Sequence, residues 1–423
     1  MSIDTASTQE EVLFGPQTEL GVQNFPLRGR TFGQLPALVR NYALVKLAAA
    51  EINCSLGVLD RSRQAAIAAA CEEIIEGRHC DQFPTPVVHG GGGTTANMNV
   101  NEVIATRAAQ IGDLPIHPND HVNASQSTND TYPTAMALTV LELADGPVGA
   151  LRGLATSFDR KADEFNTVPH LGRTCVQDAV SVTAGDTHRA QAAAIRRVAD
   201  GLEAAAAELH DLPIGGTVLG TGVGAPENFG DRVADVLARM TGRPVRVSAN
   251  RFDSMAHLDP YAAIAGAGAR AAITMAKIAA DLRLLSSGPR GGFGDLTIPA
   301  VQAGSSIMPA KVNPVIPEYV MQLSYRVRGN ALTVDCACAD GELELNVMEP
   351  VVVDALTSIF DDIAAAAQAF AERCVDGLRW DGVHRERNLA GALDEWVRLA
   401  TTDGYETATS RVRAQSSATA EPA

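Results

Sequence analysis

Gly304-Ser305-Ser306-Ile307-Met308-Pro309-Ala310-Lys311-Val312-Asn313-Pro314 (GSSIMPAKVNP) is a polar, Gly-containing loop between two apolar helical stretches. Residues 257–287 ahead of it carry Ala, Ile, Met and Leu throughout, and Pro314–Val334 behind it returns to helical patterning. Ser286–Ser306 is a long Gly/Pro-rich connection. Backbone N–H groups and short side chains converge on ligands in such loops, while the helices serve as scaffold.

The same alternation extends outward. Leu35–Gly77 reads as helix: Val39, Tyr42, Ala43, Val45, Lys46 and Ala49 make one amphipathic face, and Ala65–Ile75 another. Pro84 and Pro86 break the chain before the Gly-rich loop His89–Thr95, and a second polar loop spans Pro118–Asn129. A long apolar helical stretch follows from about Pro133 to Glu164, with a kink expected near Gly146-Pro147. Gly172–Asp178 is a third polar break, Asp186–Leu209 an Ala-rich helix, Gly215–Pro226 a flexible turn region, and Val351–Val375 helix again. Residues 1–16 are polar and read as frayed, and the low-complexity tail Ser416–Ala423 reads as disordered. Helices of about 20 residues or more with few interior Gly or Pro predict an all-α fold: a central long-helix bundle with small helical N- and C-terminal domains. The expected division is 1–130, 131–375 and 376–423, the last a reduced domain with its tail.

Composition narrows the function. The 423 residues exceed what one core usually supports. Hydrophobic residues make up 46% and aromatics 4%, which suits packed helices. A formal net charge of −16 argues against nucleic acid or an anionic membrane as partner, though a local cationic pocket still admits a dianionic substrate. There is no uninterrupted run of about 20 apolar residues and no secretory-type N-terminus, so a cytoplasmic location is expected. The seven scattered cysteines form no CxxC pair, and Cys336-Ala-Cys338 has the wrong spacing for the usual zinc or redox motifs. They read as reduced thiols.

The GSSIMPAKVNP loop resembles the GSSxMPxKxNP signature of the aspartase/fumarase superfamily, meeting all eight of its fixed positions. The other loops agree. His89–Asn101 (HGGGGTTANMNVN) resembles the family's first substrate loop, His117–Pro133 (HPNDHVNASQSTNDTYP) its HPNDHVNxSQSxND segment, and Gly172–Asp178 (GRTCVQD) its GRTxxQD loop. The match runs over roughly residues 14–375, and Gly341–Pro350 (GELELNVMEP) looks more like aspartases than like argininosuccinate or adenylosuccinate lyases.

The resemblance implies anti-elimination from a C4 diacid to give fumarate: loss of ammonia or a substituted nitrogen group from L-aspartate or an N-substituted or nitro-bearing succinate. A proton leaves the carbon beside a carboxylate, and the carbanion persists only as a doubly charged aci-carboxylate, so donors aimed at that group supply most of the acceleration. By position in the motifs, Thr94, Ser127, Thr128 and Ser306 match the residues that bind this β-carboxylate. Thr174, Lys311 and Asn313 match those that hold the α-carboxylate. Asn129, with Thr94 and Ser127, matches the group holding the departing amine, and Ser305 matches the catalytic base. A serine is a poor base unless its oxyanion is stabilised, which loop N–H groups and Lys311 would do. Gly288–Gly304 is expected to act as a lid hinged on Gly288, Gly291, Gly292 and Gly294. The resemblance further implies a homotetramer with sites shared between subunits, and chemistry that needs no metal or organic cofactor.

Each residue has a plainer reading as well. Ser127 or Thr174 alone would be a helix N-cap, and Lys311 alone a surface lysine. His121 serves equally as a dicarboxylate ligand in transit or as a structural hydrogen-bonding group, and Glu318 as an orienting carboxylate or a solvated helix residue. Three departures stand out. Cys175 replaces the His with which fumarases activate water, which disfavours the alternative of a fumarase-like hydratase and puts a thiol close to where the amine would leave. Leu20 replaces the Arg of the family's QTxR element, and Gly224 the Asn of GTGxN. Residues 380–423 do not resemble the aspartase C-terminal domain. A second alternative is a catalytically silent relative of the lens-crystallin kind, against which the retained Ser305, Lys311, Asn313, Asn129 and Thr174 argue.

Overall fold

A computed structural model describes residues 12–26 and 29–419. The chain forms two compact units, Met1–Gly146 with Gly201–Ala269 and Val327–Asp361, and Pro147–Asp200 with Arg270–Arg326 and Asp362–Ala423. The expected all-α fold is present: long helices dominate, and the described residues hold only two small two-stranded sheets.

In the first unit, helix Pro36–Ser55 begins on a proline, whose missing N–H costs nothing at a helix start. It packs against Arg61–Ile75, Thr128–Leu143 and Phe229–Thr241. Arg61–Ile75 starts on Asp60, whose side chain accepts the Arg63 N–H at 3.0 Å. Tyr42 and Tyr132 meet edge-on, as do Phe32 and Phe83, and all four are buried. The N-terminal helix Pro16–Asn24 is held by Glu102, which accepts the N–H groups of Gly15, Gln17 and Thr18 and the Thr18 hydroxyl. The expectation of a frayed 1–16 concerns residues that mostly lie outside those described.

The second unit packs Phe158, Phe370, His188 and Trp380 together. Trp380 donates its indole N–H to His188 Nε2 at 2.8 Å, and burial pushes His188 down to about 4, so this imidazole is neutral.

Four places differ from the pattern read in the sequence. The polar break at Gly172–Asp178 is the tip of an antiparallel hairpin, Pro169–Thr174 with Gln177–Thr183. Its turn is Cys175-Val176, both with positive φ, a two-residue geometry usually marked by Asn-Gly and so invisible here. The kinked 133–164 stretch is two helices, Thr128–Leu143 and Asp145–Glu164. Helix Tyr405–Thr419 runs into the stretch expected to be disordered, and residues 420–423 lie outside those described. The helical span Thr128–Glu164, taken across its break, and helix Asp259–Leu285 are long and apolar enough, by length and composition, to cross a membrane; no unbroken apolar run betrays them because polar residues punctuate both.

Candidate functional site

The first loop owes its shape to three glycines. Gly91, Gly92 and Gly93 have φ of 90°, 57° and 85°, and Gly93 is the N-cap of helix Thr94–Gly112. A side chain at Gly93 would run into the Tyr132 ring, so Gly is required there for space as well as conformation. Thr94 is thereby placed, exposed, in the first turn.

In the second loop, Ser127 caps helix Thr128–Leu143, its hydroxyl accepting the Asn129 N–H at 3.2 Å while Asp130 accepts the Ser127 N–H at 3.0 Å. The plain capping role is therefore real. The loop stands on a buried ammonium. Lys46 donates to Asn97 Oδ1, Asn123 Oδ1 and Gln126 Oε1 at 2.8, 2.9 and 3.1 Å. Burial pushes Lys46 down to about 7, but three carbonyl acceptors need three protons, which holds it charged. Because Lys46 only donates, Asn97 must face it with oxygen and turn its NH2 toward Thr128 Oγ1, at 3.0 Å. Thr128 accepts in that bond and keeps its own hydroxyl proton to donate.

Asp130, fully buried, also accepts the N–H groups of Gly215 and Thr217 at 3.0 and 2.9 Å. Burial pushes its carboxyl up to about 7, against those bonds and the Lys46 charge. Asn129 donates to the Val218 carbonyl at 2.9 Å, so loop and turn are bound together. His121 Nδ1 accepts the His117 N–H at 2.8 Å within its own loop, giving it a structural role. Burial lowers its pKa.

The third and fourth loops belong to the second unit. Thr174 ends its strand paired with Gln177, and Thr174 and the free thiol of Cys175 are exposed. The neighbouring Arg173 stacks on Phe293 and binds Asp295 at 2.6 Å, tying the hairpin to the root of the expected lid. That root is anchored: Gly294 N–H bonds to Ser287 O, Asp295 N–H to Leu285 O, and Thr297 pairs with Arg379. Of the four hinge glycines Gly294 makes one of these bonds. Among the described residues no backbone hydrogen bond holds Gly288–Gly292 or Ile298–Ala303, which leaves freedom at both.

Ser305 Oγ accepts the N–H groups of Ile307 and Met308 at 3.2 and 3.0 Å. Gly304 N–H bonds to Lys311 O, and Asn313 Nδ2 donates to Gly304 O at 2.8 Å, so both residues also brace their own loop. Ser306 and Lys311 are exposed. Glu318 pairs with Arg283 at 3.5 Å, which favours a structural role. Among the described residues no three His, Cys, Asp or Glu side chains gather where they could hold a metal.

The chosen residues thus fall into two groups: Thr94, His121, Ser127, Thr128 and Asn129 in one unit, Thr174, Cys175, Ser305, Ser306, Lys311, Asn313 and Glu318 in the other. The sequence reading passed over the residues that orient them, Lys46, Asn97, Asp130, Arg173 and Asp295. A signal existed for one: Lys46 stands alone among apolar residues on a helix face. Of the departures, Leu20 is exposed on its helix, and Gly224 has a φ of 95° with open space around it.

A family profile described as lyase matches residues 5–329. The chain belongs to the aspartase/fumarase superfamily of lyases. An aspartate ammonia-lyase from Helicobacter pylori (strain J99) is 39% identical over 375 residues, 87% of this chain and 80% of that one. A class II fumarate hydratase from Mycobacterium tuberculosis is 40% identical over 400 residues, covering 94% and 84%. The solved fumarate lyase:delta crystallin from Brucella melitensis, bound to cobalt, superposes with a TM-score of 0.93 at 41% identity, covering 96% and 90%. Members of this superfamily act on small dicarboxylates, which fits loops rich in hydroxyl and amide donors.

Proposed function

We propose that this lyase removes an amine from L-aspartate, or from an aspartate-like succinate, by anti-elimination to fumarate. Ser305 is the base and an aci-carboxylate the intermediate. The observation that carries the reading is the pair of N–H groups from Ile307 and Met308 on Ser305 Oγ. Two donors on one hydroxyl oxygen favour its ionised form, which a serine needs to take a proton from carbon. Thr94, Ser127, Thr128 and Ser306 then donate to the doubly charged β-carboxylate, and the Asn97 bond leaves the Thr128 proton free for that use. Thr174, Lys311 and Asn313 take the α-carboxylate. The two groups complete one site through a homotetramer that shares sites between subunits.

A hydratase acting on malate is the second reading, supported by the fumarate hydratase relative and opposed by Cys175 at the hairpin tip. Purified protein is supplied with L-aspartate, malate and nitrosuccinate, and fumarate is followed by its ultraviolet absorbance. Aspartate is expected to yield fumarate; release from malate alone would refute amine loss. Ser305→Ala is expected to lower kcat at least 1000-fold while succinate affinity stays within a few-fold, and unchanged turnover would remove Ser305 from the chemistry.

A further inference from the structure

Lys46 is fully buried on helix Pro36–Ser55, and among the described residues its ammonium forms no ion pair. Its three protons go to neutral carbonyl groups, Asn97 Oδ1, Asn123 Oδ1 and Gln126 Oε1. Two of these amides are oriented independently of the lysine. Asn123 Nδ2 donates to Gln126 O at 3.1 Å, and Gln126 Nε2 donates to the carbonyls of Val122 and Ala124 at 3.1 and 3.0 Å. Each therefore turns its oxygen toward Lys46. Burial lowers the Lys46 pKa and the charge of Asp130 offsets part of that, but the Asp130 oxygens face the N–H groups of Ser127, Gly215 and Thr217. A buried cation without an ion-pair partner is destabilising, and folds concentrate such features at functional sites.

The third acceptor leads outward. Asn97 Oδ1 also takes the Tyr42 hydroxyl at 3.0 Å, so two donors hold that oxygen and fix the amide. Both protons of its NH2 are then committed, one to Thr128 Oγ1 at 3.0 Å and one to Asn123 Oδ1 at 3.2 Å. Hydrogen bonds in series polarise one another: an ammonium drawing on Asn97 Oδ1 strengthens the N–H that Thr128 accepts, and the Thr128 hydroxyl becomes a stronger donor in turn. From this chain we infer that Lys46 and Asn97 are positioning residues of the β-carboxylate subsite: the charge of a buried ammonium with no ion-pair partner is relayed through one amide to the Thr128 hydroxyl, where the doubly charged end of the substrate answers it. The inference rests on Thr128 binding the β-carboxylate in the proposed function. The relay stabilises the aci-carboxylate, with two charges, more than the ground-state carboxylate, with one, so it acts on the chemical step more than on binding.

Asn97→Asp separates this role from a merely structural one. The new carboxylate keeps the shape and gives Lys46 an ion-pair partner, so the urea midpoint is expected to hold or rise. Its second oxygen faces Thr128 and takes the hydroxyl proton away from the substrate. With L-aspartate, kcat is expected to fall at least 100-fold, on the order of one lost transition-state donor, while succinate affinity by calorimetry falls about tenfold or less. Lys46→Met, which removes the charge without adding another, is expected to show the same split; Asn97→Asp carries the test if Lys46→Met, with three carbonyls left unsatisfied, does not fold. Thr128→Val removes the hydroxyl through which both residues act, so in that background Asn97→Asp is expected to lower kcat less than about threefold further. A charge acting through space, or a disturbed fold, would add its full loss again. Retained kcat or a lowered urea midpoint in Asn97→Asp, equal losses in kcat and succinate affinity, or full additivity with Thr128→Val overturns the inference. If the wild-type protein releases no fumarate from aspartate, yet Asn97→Asp weakens succinate binding and weakens it no further in the Thr128→Val background, the proposed reaction fails and this assignment stands.

Discussion

Replacing Asp295 by Ala strips the hairpin that carries Thr174 of its charged anchor. Asp295 is fully buried, accepts Arg173 at 2.6 Å on one oxygen and Asn388 Nδ2 at 3.1 Å on the other. The Arg173 side chain is 12% exposed, so the variant leaves a guanidinium largely out of water without its counter-charge. Removing one partner of a buried pair costs about 3–5 kcal/mol. Arg173 keeps its stacking on Phe293 at 4.4 Å, which places the expected loss at the lower end, about 3 kcal/mol. Asp295→Asn keeps a neutral acceptor for one donor, and its loss should be nearer 2 kcal/mol. The assay is native-state hydrogen exchange of the paired amides in Pro169–Thr174 and Gln177–Thr183, with limited proteolysis of residues 298–303 alongside. A 3 kcal/mol loss speeds hairpin opening roughly 100-fold. The pair Arg173→Met with Asp295→Leu, apolar and of similar volume, should recover most of the protection. Protection in Asp295→Ala within 1 kcal/mol of wild type would refute the anchoring argument.

Gly93→Ala places a methyl against the Tyr132 ring at a φ of 85°; a loss of about 3–5 kcal/mol is expected in urea melts, with weaker succinate binding as Thr94 shifts. Val176→Gly removes a β-branched residue from a φ of 62° at an exposed hairpin turn, and should raise stability by about 1 kcal/mol, read as a higher Tm. Glu73 is bound by Arg107 at 2.6 and 2.9 Å and by His79 at 2.7 Å, and the Arg107 bond foremost holds its carboxyl down at about 2 from a usual 4.5. A depressed carboxylate stabilises above its unfolded pKa, so about 3 kcal/mol present at pH 7 should fade as pH falls from 4.5 toward 2; the gap in urea midpoint between wild type and Glu73→Gln should close over that window, and a constant gap would deny the ion pair its role.

The helical frame was legible because long apolar stretches with few interior Gly or Pro mark the helices, even where, as in Thr128–Leu143, nearly every side chain is buried, and the loops because their residues are chemically unusual between such helices. Hairpin Pro169–Thr183 was not, since its strands carry a polar exposed face and its turn uses Cys175-Val176 where Asn-Gly would have announced it. The lid illustrates a different loss. Glycines at 288, 291, 292 and 294 read as hinges, yet Gly294 serves a positive-φ turn whose N–H is bonded to Ser287 O, while Gly288–Gly292 carries no such bond. Glycine permits motion and tight turns alike, and only hydrogen bonding tells them apart.

The deeper gap concerns hydrogen-bond direction. An asparagine or threonine in a motif is both donor and acceptor, so its identity does not say which it offers a ligand. Direction is imposed by groups that have no choice. Lys46 only donates, and through Asn97 it leaves Thr128 with its own hydroxyl proton to give. The Val218 carbonyl only accepts, and it takes one N–H of Asn129, which fixes the plane of that amide. The loop thus holds a hydroxyl with a free proton at Thr128 beside an amide of fixed orientation at Asn129. Since Lys46 reaches the loop it orients across 77 and 80 residues of sequence and Asp130 grips a turn 85 residues away, no local window of sequence contains the cause.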